Sequence, residues 1–94
     1  MAYALVKLKV EDSSKWKTGF EAAIELRKKY GSKGGQAFSS VDNPTEVVAL
    51  VEFEDLEKAR EMYQSQEFRD AAKRAGASGA PEVTFLTAVA KLPA

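Results

Sequence analysis

Residues 46–54, EVVALVEFE, decide the fold. Val47, Ala49, Val51 and Phe53 alternate with Val48, Leu50, Glu52 and Glu54, the period of two that places successive side chains on opposite faces of a strand. Both faces carry apolar residues, so both should be covered near the strand's middle. Immediately upstream, VDNPTE (41–46) holds the Asp, Asn and Pro of a tight turn, which predicts a hairpin with an earlier strand over Gln36–Val41. Downstream, Asp55 can cap a helix, and DLEKAREMYQ sets Leu56, Ala59, Met62 and Tyr63 on one side of it. A break is expected near Ser65. QEFRDAAKRAG then resumes with Phe68, Ala71, Ala72 and Ala75 inward, up to a loop at Gly76–Pro81 and a last strand from Glu82 to about Lys91.

The N-terminal third supplies the remaining two elements. YALVKLKV (3–10) alternates Ala4, Val6, Leu8 and Val10 against Tyr3, Leu5, Lys7 and Lys9, a strand. Glu11–Ser14 is a polar stop in which Asp12 or Ser13 can accept from the free N–H groups of a helix. That helix is predicted over Ser14–Tyr30, with Trp16, Phe20, Ile24, Ala23 and Ala22 inward, an attractive Glu25–Lys29 pair outside, and Gly31 ending it. GSKGG (31–35) lacks the order of a phosphate-binding loop and follows a helix instead of preceding one, so it reads as a turn. The fold class is α+β: one ferredoxin-like βαββαβ domain over residues 1–94, a four-stranded antiparallel sheet with two helices on one face.

The opposite sheet face would then carry Tyr3, Leu5, Val48, Leu50 and Leu86, interrupted by Lys7 and Glu52. Two covers suit such a face: stacked bases or a second copy of the chain. ALVEFEDLEKA does resemble part of an RNA-recognition motif, yet the motif's basic residue falls on Glu46 and its stacking aromatics on Val48 and Leu50. The 14 basic and 14 acidic residues cancel and are interspersed, which gives no field for nucleic acid or an anionic membrane. A homodimer through the open face is the expected partner state, with no nucleic acid and no membrane partner. No basic segment followed by an apolar stretch opens the chain, so the cytoplasm is the expected location.

Cysteine and histidine are both absent. The chain therefore has no thiolate nucleophile, no imidazole base and no Cys/His metal set. The adjacent carboxylates Glu11/Asp12, Glu52/Glu54 and Glu54/Asp55 are not spaced as metal ligands, and Glu52 and Glu54 are expected to face Lys7 and Lys9. No metal and no cofactor are expected.

Taken together, LVKLKVEDSSKWKTGFEAAIELRKKYGSKG, DNPTEVVALVEFEDLEKAREM and EVTFLTAVAKL resemble the dimeric α/β-barrel superfamily, in the neighbourhood of the antibiotic-biosynthesis-monooxygenase-like domains, the stress-responsive barrel proteins and the small polyketide cyclases. The resemblance implies a homodimer whose two sheets form a barrel, with a pocket in each subunit between sheet and helices. In relatives that oxidise aromatic polyketides without metal or flavin, Trp, Asn and Arg side chains hold the substrate; Trp16 is a counterpart by residue type alone, and Asn43 lies in a turn. Haem-binding relatives usually use a histidine, which this chain lacks.

The residues expected to wall such a pocket are Trp16 and Phe20, one helical turn apart, with Phe53, Met62 and Tyr63 opposite and Arg27 as a holder of anionic groups. The plainer account of the same aromatic stripe is a filled helix–sheet core. Two functions follow: binding of a small hydrophobic or aromatic molecule, or, alternatively, a cofactor-independent monooxygenase or cyclase-like reaction on an enolisable aromatic substrate. No catalytic residue is assigned from the sequence.

Overall fold

In the computed structural model, which describes residues 1–94, the elements run β1 (Ala2–Lys9), α1 (Ser13–Ala22), α2 (Ile24–Lys29), β2 (Ser32–Ser39), β3 (Glu46–Phe53), α3 (Leu56–Gln64), α4 (Gln66–Arg74) and β4 (Glu82–Leu86). The strands form one antiparallel sheet in the order β2-β3-β1-β4, which is the α+β, ferredoxin-like arrangement. β3 lies between β1 and β2, and its alternation is realised: Val47, Ala49, Val51 and Phe53 are all but inaccessible to solvent. With Ala4, Val6 and Val10 they form a core closed from above by Trp16, Ala59, Met62 and Ala75. Full burial of Phe53 contributes roughly 1.5–3 kcal/mol. No helix is long and apolar enough to cross a membrane.

Both predicted helices are divided in two. Ser65 is the joint of the second: its hydroxyl accepts from the Phe68 N–H at 3.1 Å, capping α4, and donates to the Met62 carbonyl at 2.6 Å, closing α3. The first, predicted unbroken over Ser14–Tyr30, breaks at Ala23, whose φ of −83° and ψ of 20° leave the helical region. Asp12 caps α1 through the Ser14 and Lys15 N–H groups. Beyond the break the inward face is re-aimed. Ile24 and Ala22, expected inside, are exposed, while Leu26 and Tyr30 pack on the core. The expected Glu25–Lys29 pair is replaced: Lys29 reaches Glu67 on α4 at 2.7 Å, and Lys28 stands 4.0 Å from Glu25. Gly31 ends α2 with a φ of 79°, as expected.

Three further expectations are corrected. β2 spans Ser32–Ser39, not Gln36–Val41, so most of GSKGG is strand. β4 stops at Leu86 instead of continuing to Lys91. Glu52 and Glu54 do not face Lys7 and Lys9: the register opposes Glu52 to Tyr3, Lys7 to Val48 and Lys9 to Glu46. Glu54 pairs with Lys33 at 2.6 Å, where an irregularity in the β2–β3 register lies between Ser32 and Gly34. That pair holds the Glu54 carboxyl below its ordinary pKa through the Lys33 hydrogen bond and charge.

α1 and the C-terminal end of α4 meet at a point with no room for a side chain. A Cβ on Gly19 of α1 would lie 2.5 Å from the Ala75 Cβ and 2.9 Å from its Cα. Helix propensity alone makes Gly→Ala favourable by about 1 kcal/mol inside a helix, whereas overpacking costs about 1–3 kcal/mol. Gly19→Ala is therefore expected to destabilise the protein in urea titration by about 1–2 kcal/mol, against its propensity. Ala75→Gly in the same chain should relieve the clash and recover part of the loss.

Candidate functional site

Between the inner sheet face and the helices lies an apolar cavity of about 60 Å³. β1 and β3 form its floor with Val6, Leu8, Ala49 and Val51; α1 and α2 bring Trp16, Phe20, Leu26 and Arg27; α3 and α4 bring Met62, Tyr63 and Phe68. Of the six residues singled out in the sequence, Trp16, Phe20, Arg27, Met62 and Tyr63 line this cavity. Phe53 does not. It is wholly buried beneath, where its ring meets that of Tyr63 edge-on at 5.9 Å.

The aromatic side chains pack against one another. Trp16 and Phe20 stack with centroids 4.8 Å apart and planes 21° apart. Tyr63 makes edge contacts with Phe68 at 4.8 Å and Phe85 at 6.1 Å as well as with Phe53. Such pairs add about 0.5–1.5 kcal/mol each to area burial.

Arg27 is the one charged side chain in the lining and Tyr63 the one phenol. The guanidinium lies over the Phe20 ring with Cζ 4.4 Å from its centroid, and Nη1 donates to the Phe20 carbonyl at 2.6 Å. That carbonyl is available because of the break at Ala23, whose N–H is shared between Gly19 and Phe20 at 3.2 and 3.3 Å. Partial burial lowers the Arg27 pKa from its ordinary value and the nearby Tyr63 opposes the shift; the group stays protonated at neutral pH. Burial pushes the Tyr63 phenol well above its ordinary range, against the pull of Arg27, and keeps it a neutral hydrogen-bond donor. A cavity of this kind can hold apolar matter against aromatic walls and place one cation and one neutral donor against it. It offers no imidazole, thiol or carboxylate as a general base.

A second, open depression of about 460 Å³ lies beside the first, between α1 and the inner face of β2. Trp16 and Phe20 line it too, with Ser14, Gln36, Ala37 and Ser39. The sequence gives no direct signal for it beyond the small residues of β2, Gly35, Ala37 and Ser39. A Cβ on Gly35 would stand 2.7 Å from the Leu50 carbonyl oxygen, and this close backbone approach is the signal for a glycine inside a strand.

Comparison with known proteins places this geometry in context. No curated protein matches the chain. Among solved structures, a candidate antibiotic biosynthesis monooxygenase from Bordetella bronchiseptica is similar at 18% identity over 95% of this chain and 97% of its own, with a TM-score of 0.80. SnoaB of Streptomyces nogalater, a cofactor-independent oxygenase, is similar at 15% identity over 99% and 97%, TM-score 0.78. A monooxygenase from the gene ActVA-Orf6 of Streptomyces coelicolor, solved with the ligand nanaomycin D, is similar at 23% identity over 99% and 92%, TM-score 0.68. At these identities the likeness is one of fold. A family model described as Domain of unknown function (DUF1330) matches residues 1–89. Carrying that match over nearly its whole length, the chain belongs to the DUF1330 family and has the fold of the antibiotic biosynthesis monooxygenases.

Proposed function

We propose that this protein is a cytoplasmic homodimer that binds a small hydrophobic or aromatic molecule between sheet and helices of each subunit. The observation that carries the reading is the lining of the cavity: apolar and aromatic throughout, with Arg27 and Tyr63 as its polar handles. The dimer is supported by the open sheet face, where the register sets Tyr3, Leu5, Phe38, Val48, Leu50 and Leu86 on one side. Phe38 is 50% exposed, Leu50 36% and Leu86 39%, a cost in water that a second copy removes. Lys7 stands opposite Glu82 on β4, so the rim of that face is charged with both signs.

Arg27 beside Tyr63 favours a second reading, cofactor-independent oxygenation. The solved structures of similar fold include proteins described as a cofactor-independent oxygenase and a monooxygenase. An enolisable aromatic substrate would release a proton to solvent and take one back as the O–O bond breaks, while Arg27 would stabilise the enolate and Tyr63 would donate to a substrate carbonyl. Reaction of a ring CH2 with O2 then gives a carbonyl and one water, both CH2 hydrogens leaving in the water.

Native mass spectrometry of the purified protein tests the first reading. It should show a dimer, with one nanaomycin D per subunit when that compound is added; a bare monomer under all conditions would refute it. Leu50→Glu puts a charge in the middle of the open face and should give a monomer without unfolding. Arg27→Ala should weaken nanaomycin D roughly tenfold, about 1.4 kcal/mol.

The state of Tyr63 is open to direct titration. In alkaline absorbance titration, the phenolate signal missing from Tyr63→Phe should emerge well above the ordinary range near about 10. The sign for stability follows. The folded state holds this proton after the unfolded state has released it, so the contribution is full below the unfolded pKa and is lost as pH rises towards the raised folded value. Tyr63→Phe should flatten that alkaline decline.

A further inference from the structure

The inner cavity is too small for what it is shaped to hold. At about 60 Å³ it has less than half the space of an apolar cavity of about 150 Å³ that admits one benzene ring. Beside it, the depression of about 460 Å³ has room for fused rings but lies open to water. Only Trp16 and Phe20 line both spaces. The stacked pair is thus the partition between them.

The two rings are not held alike. Trp16 is 7% exposed and belongs to the buried core, whereas Phe20 is only partly buried at the core's edge. Phe20 has the Trp16 ring on one contact and the Arg27 guanidinium on another. Arg27 itself is anchored to the Phe20 backbone carbonyl and so stays when the ring turns to its other helical rotamer. Turning it aside would hand the ring's own volume to an incoming molecule and join the two spaces.

The outer space has a different chemistry from the inner one. Ser14 and Ser39 line it, while Gln36, opposite Leu50, turns its side chain to the other sheet face, and the charges of the depression, Lys17 and Glu21, pair with each other at 3.4 Å. β2 leaves it open because Gly35 and Ala37 present no bulk. Such walls suit an uncharged end bearing hydroxyl or carbonyl groups.

We infer that Phe20 is a gate and that the α1–β2 depression is the outer subsite of one elongated site, which takes a flat fused-ring molecule with its apolar end against Arg27 and Tyr63 and its hydroxyl- or carbonyl-bearing end against β2. This rests on the ligand-binding reading above and adds to it the length, shape and entry route of the ligand. Ser39 and Ala37 then set how long a molecule is accepted.

Two probes and four variants test it, with binding followed by calorimetry and by fluorescence of Trp16, the only tryptophan. The probes are phenol, one ring, and 1-hydroxyanthraquinone, three fused rings. Ser39→Leu narrows the outer subsite alone and should weaken 1-hydroxyanthraquinone at least roughly tenfold while leaving phenol within about twofold. Ala72→Leu fills the inner cavity alone and should weaken both; Ala72→Val does the same with less volume should the leucine variant fail to fold. Phe20→Leu should raise the association rate of 1-hydroxyanthraquinone several-fold. If Ser39→Leu leaves 1-hydroxyanthraquinone unaffected while the Ala72 variants weaken it, the outer subsite is refuted and the binding reading stands. An unchanged association rate in Phe20→Leu refutes the gate. If neither probe binds the wild-type protein, both readings fall together.

Discussion

The register of β3 constrains everything else in this molecule. It pairs with β1 on one side and β2 on the other, and its inner side chains, Val47, Ala49, Val51 and Phe53, lie at the bottom of the core. A slip of one residue would turn Glu46, Val48, Leu50 and Glu52 inward and set two carboxylates against an apolar core, at a large cost in desolvation. The pairing is therefore strongly specified. It also fixes the site, because Ala49 and Val51 form part of the cavity floor and the small Ala49 leaves the space above it. The same strand carries Val48 and Leu50 to the outer face, so one alternation creates both the pocket and the apolar surface behind it.

β1 and β3 are legible because period two is a local signal, and so is the break at Ser65, where a capping hydroxyl stands between two apolar stripes. The break at Ala23 was not legible. Alanine is the best helix former, and nothing in EAAIEL marks a stop. What accompanies it is tertiary: α1 packs closely on Ala75 at Gly19, and the Phe20 carbonyl freed by the break is taken by an arginine seven residues on. Reading the helix as continuous therefore pointed Ile24 inward in place of Leu26, while Trp16 and Phe20, before the break, were assigned to the correct face. Phe53 was assigned to the correct face of its strand, yet Tyr63 stands between it and the cavity, a layering that a pattern of inward residues does not contain.

β2 was misread for a different reason. Glycine and serine are turn formers in isolation, and GSKGG has no side chains with which to display a strand period. As an edge strand it needs little hydrophobic content, and Gly35 is required by the approach of the Leu50 carbonyl. The partner of Glu54 was equally hidden, since Lys33 comes within reach only through the irregular register there. That pair is solvent-exposed and screened, so its misplacement touches local detail and leaves the core assignment intact.

The choice of arginine at position 27 bears on what the cavity can do. A lysine there would hold its charge on one strongly hydrated ammonium, and burial would press it towards neutrality. The guanidinium spreads the charge over a plane, which lies on the Phe20 ring, and one of its N–H groups meets the Phe20 carbonyl, so its desolvation is offset on two sides at once. It remains a cation throughout the physiological range despite its lowered pKa. With Tyr63 neutral over the same range and no histidine in the chain, neither polar group of the cavity changes its charge between pH 5 and 8. Any pH dependence of binding between pH 5 and 8 must then originate in the ionisation of the ligand, and a molecule whose enol or phenol becomes an anion in that interval would gain affinity as the pH rises.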